Sequence, residues 1–338
     1  MNWTALLTAL ILLSRGISIT PDPLPLIEVK RPPVEVKAIY ISAEVAQSQR
    51  FAQLVELVDQ SELNAMVINI KESSGVKFWD GLADLVINLH QKNIWLIARQ
   101  VVFQDNDLAT RESRLALKNT QGVLWQGRGG ALWLDPAAYD VWEYNSQIAK
   151  QALALGFDEI NLDYIRFPSD GDIKGIVYPV WDQRSSKEQV IADFAEWLVG
   201  DIKKTYPHAI ISADIFAFTL VQDWDLTIGQ RASLLAQYFD VLSPMIYPSH
   251  YRSGNFGLIN PAQHPYQVVN KTLTSGQQIL NNHKVLIRPW LQDFNIGAIY
   301  TADLVRQQIS AVSDSGYHSG WMLWNPASKY TADALKPE

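Results

Sequence analysis

The sequence contains no cysteine, which excludes a disulfide scaffold, a thiolate metal site and a cysteine nucleophile. It also lacks a block of basic residues, and its formal net charge is -7, so it offers little attraction to nucleic-acid phosphates. No Gly-rich dinucleotide or Walker motif follows an apolar run, which removes the main nucleotide-binding open-sheet folds. A mildly acidic protein of this kind suits a neutral substrate and has no predicted nucleic-acid partner.

Long hydrophobic runs are missing as well. The apolar stretch from Ala5 to Leu13 is too short to span a bilayer, although it has the length of an export-signal core. It lacks a positively charged leader and a clear cleavage site, and a Pro-rich tether, PDPLPLIEVKRPP, follows it. We predict residues 1–35 to be a signal-like or anchor segment with a tether, with a disordered tail or mis-assigned start as the alternative. This predicts an extracytoplasmic protein, secreted or membrane-anchored, with peripheral or N-terminal membrane association.

What the chain does contain is enough apolar material for one large core. It has 338 residues, of which 48% are hydrophobic and 19% charged, and this length fits one α/β barrel with elaborated loops. Twelve Trp and thirteen Tyr are present. These rings either fill the core or line a sugar-binding cleft, because aromatic faces pack against the apolar faces of sugars.

From Val36 onward, short apolar runs alternate with stretches of helical periodicity. Alternating strands and helices predict a parallel sheet, and eight repeats favour its closure into a barrel. We therefore predict a single (β/α)8 TIM-barrel domain over residues 36–338, with the last helix short or missing. The predicted strands are VKAIYIS, NAMVINIK, IWLIARQVVF, FDEINLDYIRF, AIISADIF, FDVLSPMIY, KVLIRPWLQDF and GWMLWN.

The ends of these predicted strands carry the chemically active side chains. In a TIM barrel the active site lies at the carboxyl ends of the strands, so residues there are candidates for catalysis or substrate binding. The candidates are Glu72, Arg99, Asp135, Asn161, Asp163, Tyr164, Arg166, Asp214, Tyr247, Arg288, Trp290, Asp293 and Trp324.

The fourth strand is the most informative, because FDEINLDYIRFPSDGD sets acids around an otherwise apolar run. Its period of two places Glu159, Asn161 and Asp163 on one face, with Asp163 nearest the barrel opening. Asp214 occupies a similar position on the fifth strand. Paired carboxylates are what glycosidic hydrolysis requires, so we predict Asp163 as nucleophile or base and Asp214 as general acid, with no cofactor.

Structural roles are open for the same acids. Asp163 is alternatively a structural partner of Arg166, and Asp214 alternatively a helix N-cap. Asp135, in an Asp-Pro dipeptide, is more typical of a cap or turn than of a catalytic residue.

The fourth-strand motif, GFDEINLDYIRFPSDG, resembles the signature of a mainly bacterial, often exported family assigned as glycoside hydrolases with a TIM-barrel domain. Four further stretches resemble motifs of the same family in the same order: LWLDPAAYDVWEYNSQIAKQA, LSPMIYPSHY, IRPWLQDF and GWMLWNPASKY. The resemblance covers most of the chain from Val36 onward. It implies the barrel fold and glycoside hydrolase activity but names no substrate.

The resemblance extends to the nucleophile position of α-amylase-like retaining enzymes, which Asp163 matches. Two departures from that pattern put the retaining mechanism in doubt. Asn161 stands where the pattern has arginine, and Asp214 stands where it has glutamate.

Our leading hypothesis is a glycoside hydrolase acting on a polysaccharide. Tyr247, Trp290 and Trp324 are predicted to shape the sugar subsites, while Arg99, Arg288 and Asp293 orient acids or hydroxyls. The first alternative is a non-catalytic carbohydrate-binding barrel. The second is a divalent-metal hydrolase whose oxygen ligands are Glu72, Asp105, Asp163 and Asp214.

Overall fold

The structure is a computed structural model that describes residues 32–337. The predicted signal-like segment and most of its tether, residues 1–31, lie outside the described residues. The first described strand begins at Val36.

Eight strands close into a parallel barrel within the described part of the chain. Each strand pairs with the next in sequence, and β1 pairs with both β2 and β8, which closes the ring. This confirms the predicted (β/α)8 TIM barrel. The strands are β1 Val36–Ile41, β2 Ala65–Glu72, β3 Trp95–Val101, β4 Glu159–Asp163, β5 Ile210–Phe216, β6 Val241–Ile246, β7 in two pieces (Leu286–Ile287 and Trp290–Gln292) and β8 Gly320–Trp324. A short strand, Gly75–Val76, pairs antiparallel with the end of β2.

Seven helices follow the first seven strands and cover the outside of the barrel. They are α1 Arg50–Asp59, α2 Leu82–Gln91, α3 Tyr139–Ala154, α4 Lys187–Thr205, α5 Ala232–Leu235, α6 Pro265–Ile279 and α7 Ala302–Asp314. Two short helices, Ala43–Ala46 and Asn106–Arg111, lie in loops, and β8 is followed only by a single 3-10 turn, Ala332–Ala334. None of the helices between residues 32 and 337 is long and apolar enough to cross a membrane.

Helix α5 is much shorter than the helical pattern of IGQRASLLAQYF predicts. Gly229 has a φ of +85°, which interrupts a helix. Gln230 uses its side chain to accept a hydrogen bond from the Phe216 amide and to donate one to the Asp214 carbonyl, at 2.9 and 3.0 Å. The residues before α5 therefore hold the end of β5 instead of extending the helix.

The barrel has two apolar layers, as parallel strands buried on both faces require. The outer layer packs the strands against the helices. The inner layer fills the barrel and contains Val36, Ala38, Tyr40, Ala65, Val67, Trp95, Ile97, Tyr247, Trp290 and Met322.

A buried ion pair fills the amino end of the barrel interior. Arg288 Nη1 donates to both carboxylate oxygens of Glu159 at 2.9 Å, and the side chains of Ser212 and Trp95 donate to the same carboxylate at 2.6 and 3.4 Å. Arg288 was predicted to bind substrate at the carboxyl end, and the structure places it elsewhere. Because Leu286 pairs with Val241 at the start of β6, Arg288 lies near the beginning of its strand and not at its end.

Candidate active site

Strands β3, β4 and β5 bring three charged side chains to the carboxyl end of the barrel, called the mouth below. Arg99 Nη2 donates to Asp163 Oδ2, and Arg99 Nε lies 3.9 Å from Asp214 Oδ2. One guanidinium therefore stands between the two carboxylates that the sequence predicts as catalytic. The open possibility that Asp163 pairs with Arg166 is not what the structure shows, and Asp214 lies inside β5 and is not a helix cap.

Asp163 is the last residue of β4 and is only 6% exposed. The strand stops there because Tyr164 adopts a left-handed backbone, with a φ of +55°. In this turn the Tyr164 amide donates to Asp163 Oδ1 at 2.6 Å. The turn therefore fixes one carboxylate oxygen while Arg99 holds the other.

Asp214 is 1% exposed, and its Oδ1 accepts hydrogen bonds from Asn161 Nδ2 at 2.9 Å and Trp290 Nε1 at 2.7 Å. Burial, followed by the charge of Asp163, raises the pKa of Asp214 well above its usual 3.8, although Arg99 and the two hydrogen bonds oppose this. Asp214 therefore keeps its proton at pH values where an ordinary aspartate has lost it.

Arg99 stays charged although it is buried. Burial disfavours the guanidinium cation, but the charge of Asp163 is the main cause that offsets this and raises the pKa of Arg99. The guanidinium lies over the rings of Trp324 and Tyr40, at 5.0 and 5.7 Å from their centroids. These contacts fix the position of the cation between the two acids.

Glu72 supports Arg99 from a distance. Arg99 Nη1 donates to Asn69 Oδ1 at 2.8 Å, and Asn69 Nδ2 donates to Glu72 at 2.5 Å and to the Tyr40 hydroxyl at 2.7 Å. Glu72 does not line the cleft in front of the acids, so the structure places it behind Asn69 and not against the substrate space.

A cleft of about 760 Å³ opens in front of Asp163 and Asp214. Its walls come largely from the loops after β5 and β6, and most of its large lining residues are aromatic. The lining residues are Arg99, Asp163, Tyr164, Arg166, Asp214, Phe216, Ala217, Phe218, Trp224, Leu226, Met245, Tyr247, His250, Tyr251, Arg252, Asn255, Trp290 and Trp324.

Eight of the predicted site residues line this cleft: Arg99, Asp163, Tyr164, Arg166, Asp214, Tyr247, Trp290 and Trp324. Asn161 lies beneath it, bonded to Asp214. Sequence reasoning missed Tyr40 and Asn69, which position Arg99, and the loop residues Trp224 and Arg252. The last two lie eight and six residues beyond the ends of β5 and β6, in loops that carry no periodic signal.

Asp135 and Asp293 were predicted to bind substrate, and the structure gives both a different role. Asp135 accepts hydrogen bonds from the amides of Ala137, Val180 and Trp181, at 3.0, 2.8 and 2.9 Å, so it fixes a turn. Asp293 accepts from the amide and hydroxyl of Thr331, at 2.8 and 2.7 Å, and so holds the C-terminal segment. Neither lines the cleft.

Trp290 was predicted to shape a sugar subsite, but it is only 1% exposed. Its indole N–H bonds Asp214, and its ring meets Trp324 edge-on at 5.6 Å. Trp290 therefore positions an acid, and the half-buried Trp324 presents more of its surface to the cleft.

The four acids of the metal hypothesis do not meet in one place. Asp105 forms a buried ion pair with Lys71 at 2.8 Å and caps the helix Asn106–Arg111. Glu72 bonds Asn69 instead. Between residues 32 and 337, no group of three or more His, Asp or Glu side chains is placed to hold a metal ion.

Comparison with known protein families matches residues 77–330 to a family described as "putative glycosyl hydrolase domain". This is most of the chain, so the protein belongs to that family, and the resemblance inferred from its motifs is confirmed. A comparison with curated proteins found no match.

Two solved structures of glycoside hydrolases share the fold, and a third solved structure is similar in sequence over part of the chain. The glycoside hydrolase domain of PgaB (BpsB) from Bordetella bronchiseptica has a TM-score of 0.65 and 13% identity, over 90% of this chain and 99% of that one. The α-galactosidase TtGalA from Thermus thermophilus has a TM-score of 0.57 and 12% identity, over 88% of this chain and 60% of that one. A hypothetical protein from Ruminiclostridium thermocellum is 30% identical over 52% of this chain and 96% of its own, with a TM-score of 0.46.

Proposed function

We propose that this protein is a glycoside hydrolase that cleaves a polysaccharide with Asp214 as general acid and Asp163 as nucleophile or general base. The observation that carries the proposal is the pairing of unlike acids on neighbouring strands. Asp163 forms an ion pair with Arg99, whereas burial and the charge of Asp163 raise the pKa of Asp214. Two carboxyl groups in such different environments are suited to opposite roles in acid–base chemistry.

In the proposed reaction, Asp214 donates its proton to the glycosidic oxygen as the bond to the leaving sugar breaks. As nucleophile, Asp163 attacks the anomeric carbon as that bond breaks, and a water molecule deprotonated by the Asp214 carboxylate later releases the sugar from Asp163. As base, Asp163 instead removes a proton from the water that attacks the anomeric carbon. Arg99 keeps its positive charge throughout and stabilises the carboxylate that Asp214 becomes after losing its proton, because it already lies 3.9 Å away.

The remaining support is the family description and the aromatic walls of the cleft. Trp324 and the exposed Trp224 are the proposed platforms for sugar rings. The signal-like composition of residues 1–16 further supports a proposed extracytoplasmic site of action, which fractionation of cells making a C-terminally tagged protein tests.

The direct test is a screen of the purified protein against bacterial and plant polysaccharides, with new reducing ends as the readout. The Asp163→Asn variant serves as the blank, since an amide keeps the shape of the side chain but cannot act as nucleophile or base. Product from the wild type alone supports the proposal. Oligosaccharide binding without any product from the wild type contradicts it and identifies a non-catalytic carbohydrate-binding barrel.

A further inference from the structure

Arg166 is a buried cation that forms no ion pair with a described carboxylate. Within residues 32–337, three arginines are more than nine-tenths buried, namely Arg99, Arg166 and Arg288. Arg99 pairs with Asp163 and Arg288 pairs with Glu159. Arg166 is 8% exposed, and no described carboxylate lies within 4.0 Å of it. A buried charge is costly unless something pairs with it.

Neutral groups hold the Arg166 guanidinium in place. It lies 4.9 Å from the ring centroid of Trp133 and 5.0 Å from those of Tyr164 and Phe216. Its Nη1 donates to the Phe167 carbonyl at 3.0 Å and to Ser169 Oγ at 3.2 Å. These contacts orient the cation. Burial lowers its pKa, and the charges of Asp163 and Asp170, which lie beyond ion-pair distance, oppose this only in part.

The charged side chains that line the cleft include more cations than anions. Arg166 lines the cleft together with Arg99 and the exposed Arg252, against two carboxylates, Asp163 and Asp214. One of these carboxylates has a raised pKa and so carries its charge over a reduced pH range. A positive cleft on a chain of net charge -7 is a local feature and does not follow from composition. It departs from the neutral substrate that the overall charge suggests.

We propose that the cleft recognises a sugar ring bearing an anionic group, a uronic acid carboxylate or a sulfate ester, and that Arg166 binds this group. The proposal names the substrate class and rests on the proposed glycoside hydrolase function. A guanidinium is planar and permanently charged, and it pairs with such oxygen anions through parallel hydrogen bonds. Arg252 at the rim attracts the same groups along the chain.

A purely structural role for Arg166 is the competing explanation, because its bonds to Phe167 and Ser169 tie down the loop after β4. The two roles differ in a measurable way. A structural arginine affects the binding of charged and uncharged ligands equally, whereas a recognition arginine distinguishes between them.

Matched ligands test this difference by titration calorimetry on the full chain. Oligogalacturonates are compared with their methyl esters, and chondroitin sulfate oligosaccharides with their desulfated forms. The Asp214→Asn variant prevents turnover and mimics the protonated acid, whereas Asp163→Asn would release Arg99 as a new anion site. In one of the two ligand pairs, the charged oligosaccharide is expected to bind about tenfold or more tightly than its uncharged derivative. The uncharged derivative cannot form the charged hydrogen bond to Arg166. Raising NaCl from about 50 to about 500 mM is expected to shrink this preference.

Two further substitutions in the Asp214→Asn background assign the preference to Arg166. Arg166→Met is expected to weaken binding of the charged ligand about tenfold and leave that of its uncharged partner unchanged. Ser169→Ala is the matched control, because it removes one hydrogen bond to Arg166 but keeps the cation, and it is expected to keep the preference. Thermal melts show whether each variant is folded. If Arg166→Met does not fold, the matched ligand pairs and their salt dependence still decide whether the cleft prefers anionic sugars.

Three outcomes overturn the proposal. Neutral oligosaccharides that bind as well as the charged ones refute it while leaving the glycoside hydrolase function standing. A charge preference that survives Arg166→Met in a folded variant removes Arg166 as the binding group. A wild type that neither binds nor cleaves any neutral or charged polysaccharide refutes both this proposal and the proposed function.

Discussion

The two ends of the barrel interior each contain a buried carboxylate and a buried arginine, yet they are built differently. Glu159 and Asp163 lie four residues apart on the same face of β4. At the amino end, one carboxylate receives bonds from Arg288, Ser212 and Trp95. At the mouth, two carboxylates share Arg99, and Arg99 Nε has no hydrogen-bond partner.

The two clusters differ in how many of their charged and polar atoms have an ion-pair or hydrogen-bond partner. At the amino end, Glu159 and Arg288 form a one-to-one ion pair, and both side chains are buried. The cluster therefore has a structural role. At the mouth a carboxyl group with a raised pKa and an unpartnered amide oxygen, Asn161 Oδ1, lie beside an open cleft. Incomplete satisfaction beside solvent-accessible space is typical of sites that react or bind.

The largest expected effect comes from making the same change at both ends. Asp163→Asn should lower kcat by a factor of ~10³ or more while the protein stays folded, because the amide cannot attack or accept a proton. Glu159→Gln is the matched change four residues earlier, and it should leave kcat of the folded protein near the wild-type value but lower its melting temperature. Activity assays beside thermal melts decide. Wild-type kcat in a folded Asp163→Asn variant would remove Asp163 from the mechanism.

The amino-end ion pair should respond strongly to loss of one partner. Arg288→Met leaves Glu159 buried without its cation and should lower the free energy of unfolding by about 3–5 kcal/mol. Arg231→Met breaks a surface pair with Asp223 and should cost less than about 1 kcal/mol. Urea denaturation of the three proteins measures both values. Equal losses in the two variants would show that the buried pair has no special structural role.

The next prediction concerns the mouth and the pH dependence of its activity and stability. Asp214 must be protonated to act as the acid, so kcat/KM should fall as pH rises through its raised pKa. The same group contributes stability that is fully present below its unfolded pKa of 3.8 and is lost as pH rises through the raised folded pKa. Melting temperatures of the wild type should therefore decline over that range relative to Asp214→Asn. Parallel melting curves for the two proteins would show that the pKa of Asp214 is not raised.

The smallest of these effects is expected at Trp324, which is compared with its buried neighbour Trp290. Trp324→Ala should weaken oligosaccharide binding by ~1–3 kcal/mol, the value of one buried aromatic face, with a modest change in stability. Trp290→Ala should instead lower stability by ~3–5 kcal/mol, because it empties a buried site inside the barrel. Calorimetry and melts of both variants test the assignment. Unchanged affinity in a folded Trp324→Ala variant would exclude Trp324 as a stacking platform.

The fold was predictable because strand and helix periodicities differ and alternate eight times along the chain. The position of Asp163, Asp214 and Arg99 at the mouth was predictable as well. Each follows or ends an apolar run, and a barrel brings such positions together at one end. Arg288 was misplaced because β7 is interrupted at Pro289, so that residue order along the run does not give depth in the barrel.

The walls of the cleft were harder to predict. Trp224 and Arg252 lie in loops whose conformations have no periodicity to read, so nothing local shows that they face the same space. Trp290 is buried by contacts with Asp214 and Trp324, which lie on strands far from it in sequence or in the barrel wall and are not evident from residue order. Which cations remain unpaired is likewise decided by tertiary contacts alone.

The buried amino end of the barrel also affects how water, substrate and product reach and leave the proposed active site. Within residues 32–337, the side chains of Arg288, Glu159 and Trp95 are each buried at that end of the barrel interior, whereas the cleft lies at the mouth. In the proposed reaction, the water, the sugar chain and the released fragments would all pass through the cleft at the mouth. A fragment that stays bound in this cleft delays the entry of the next water molecule. End-product inhibition is therefore the kinetic behaviour that this architecture favours.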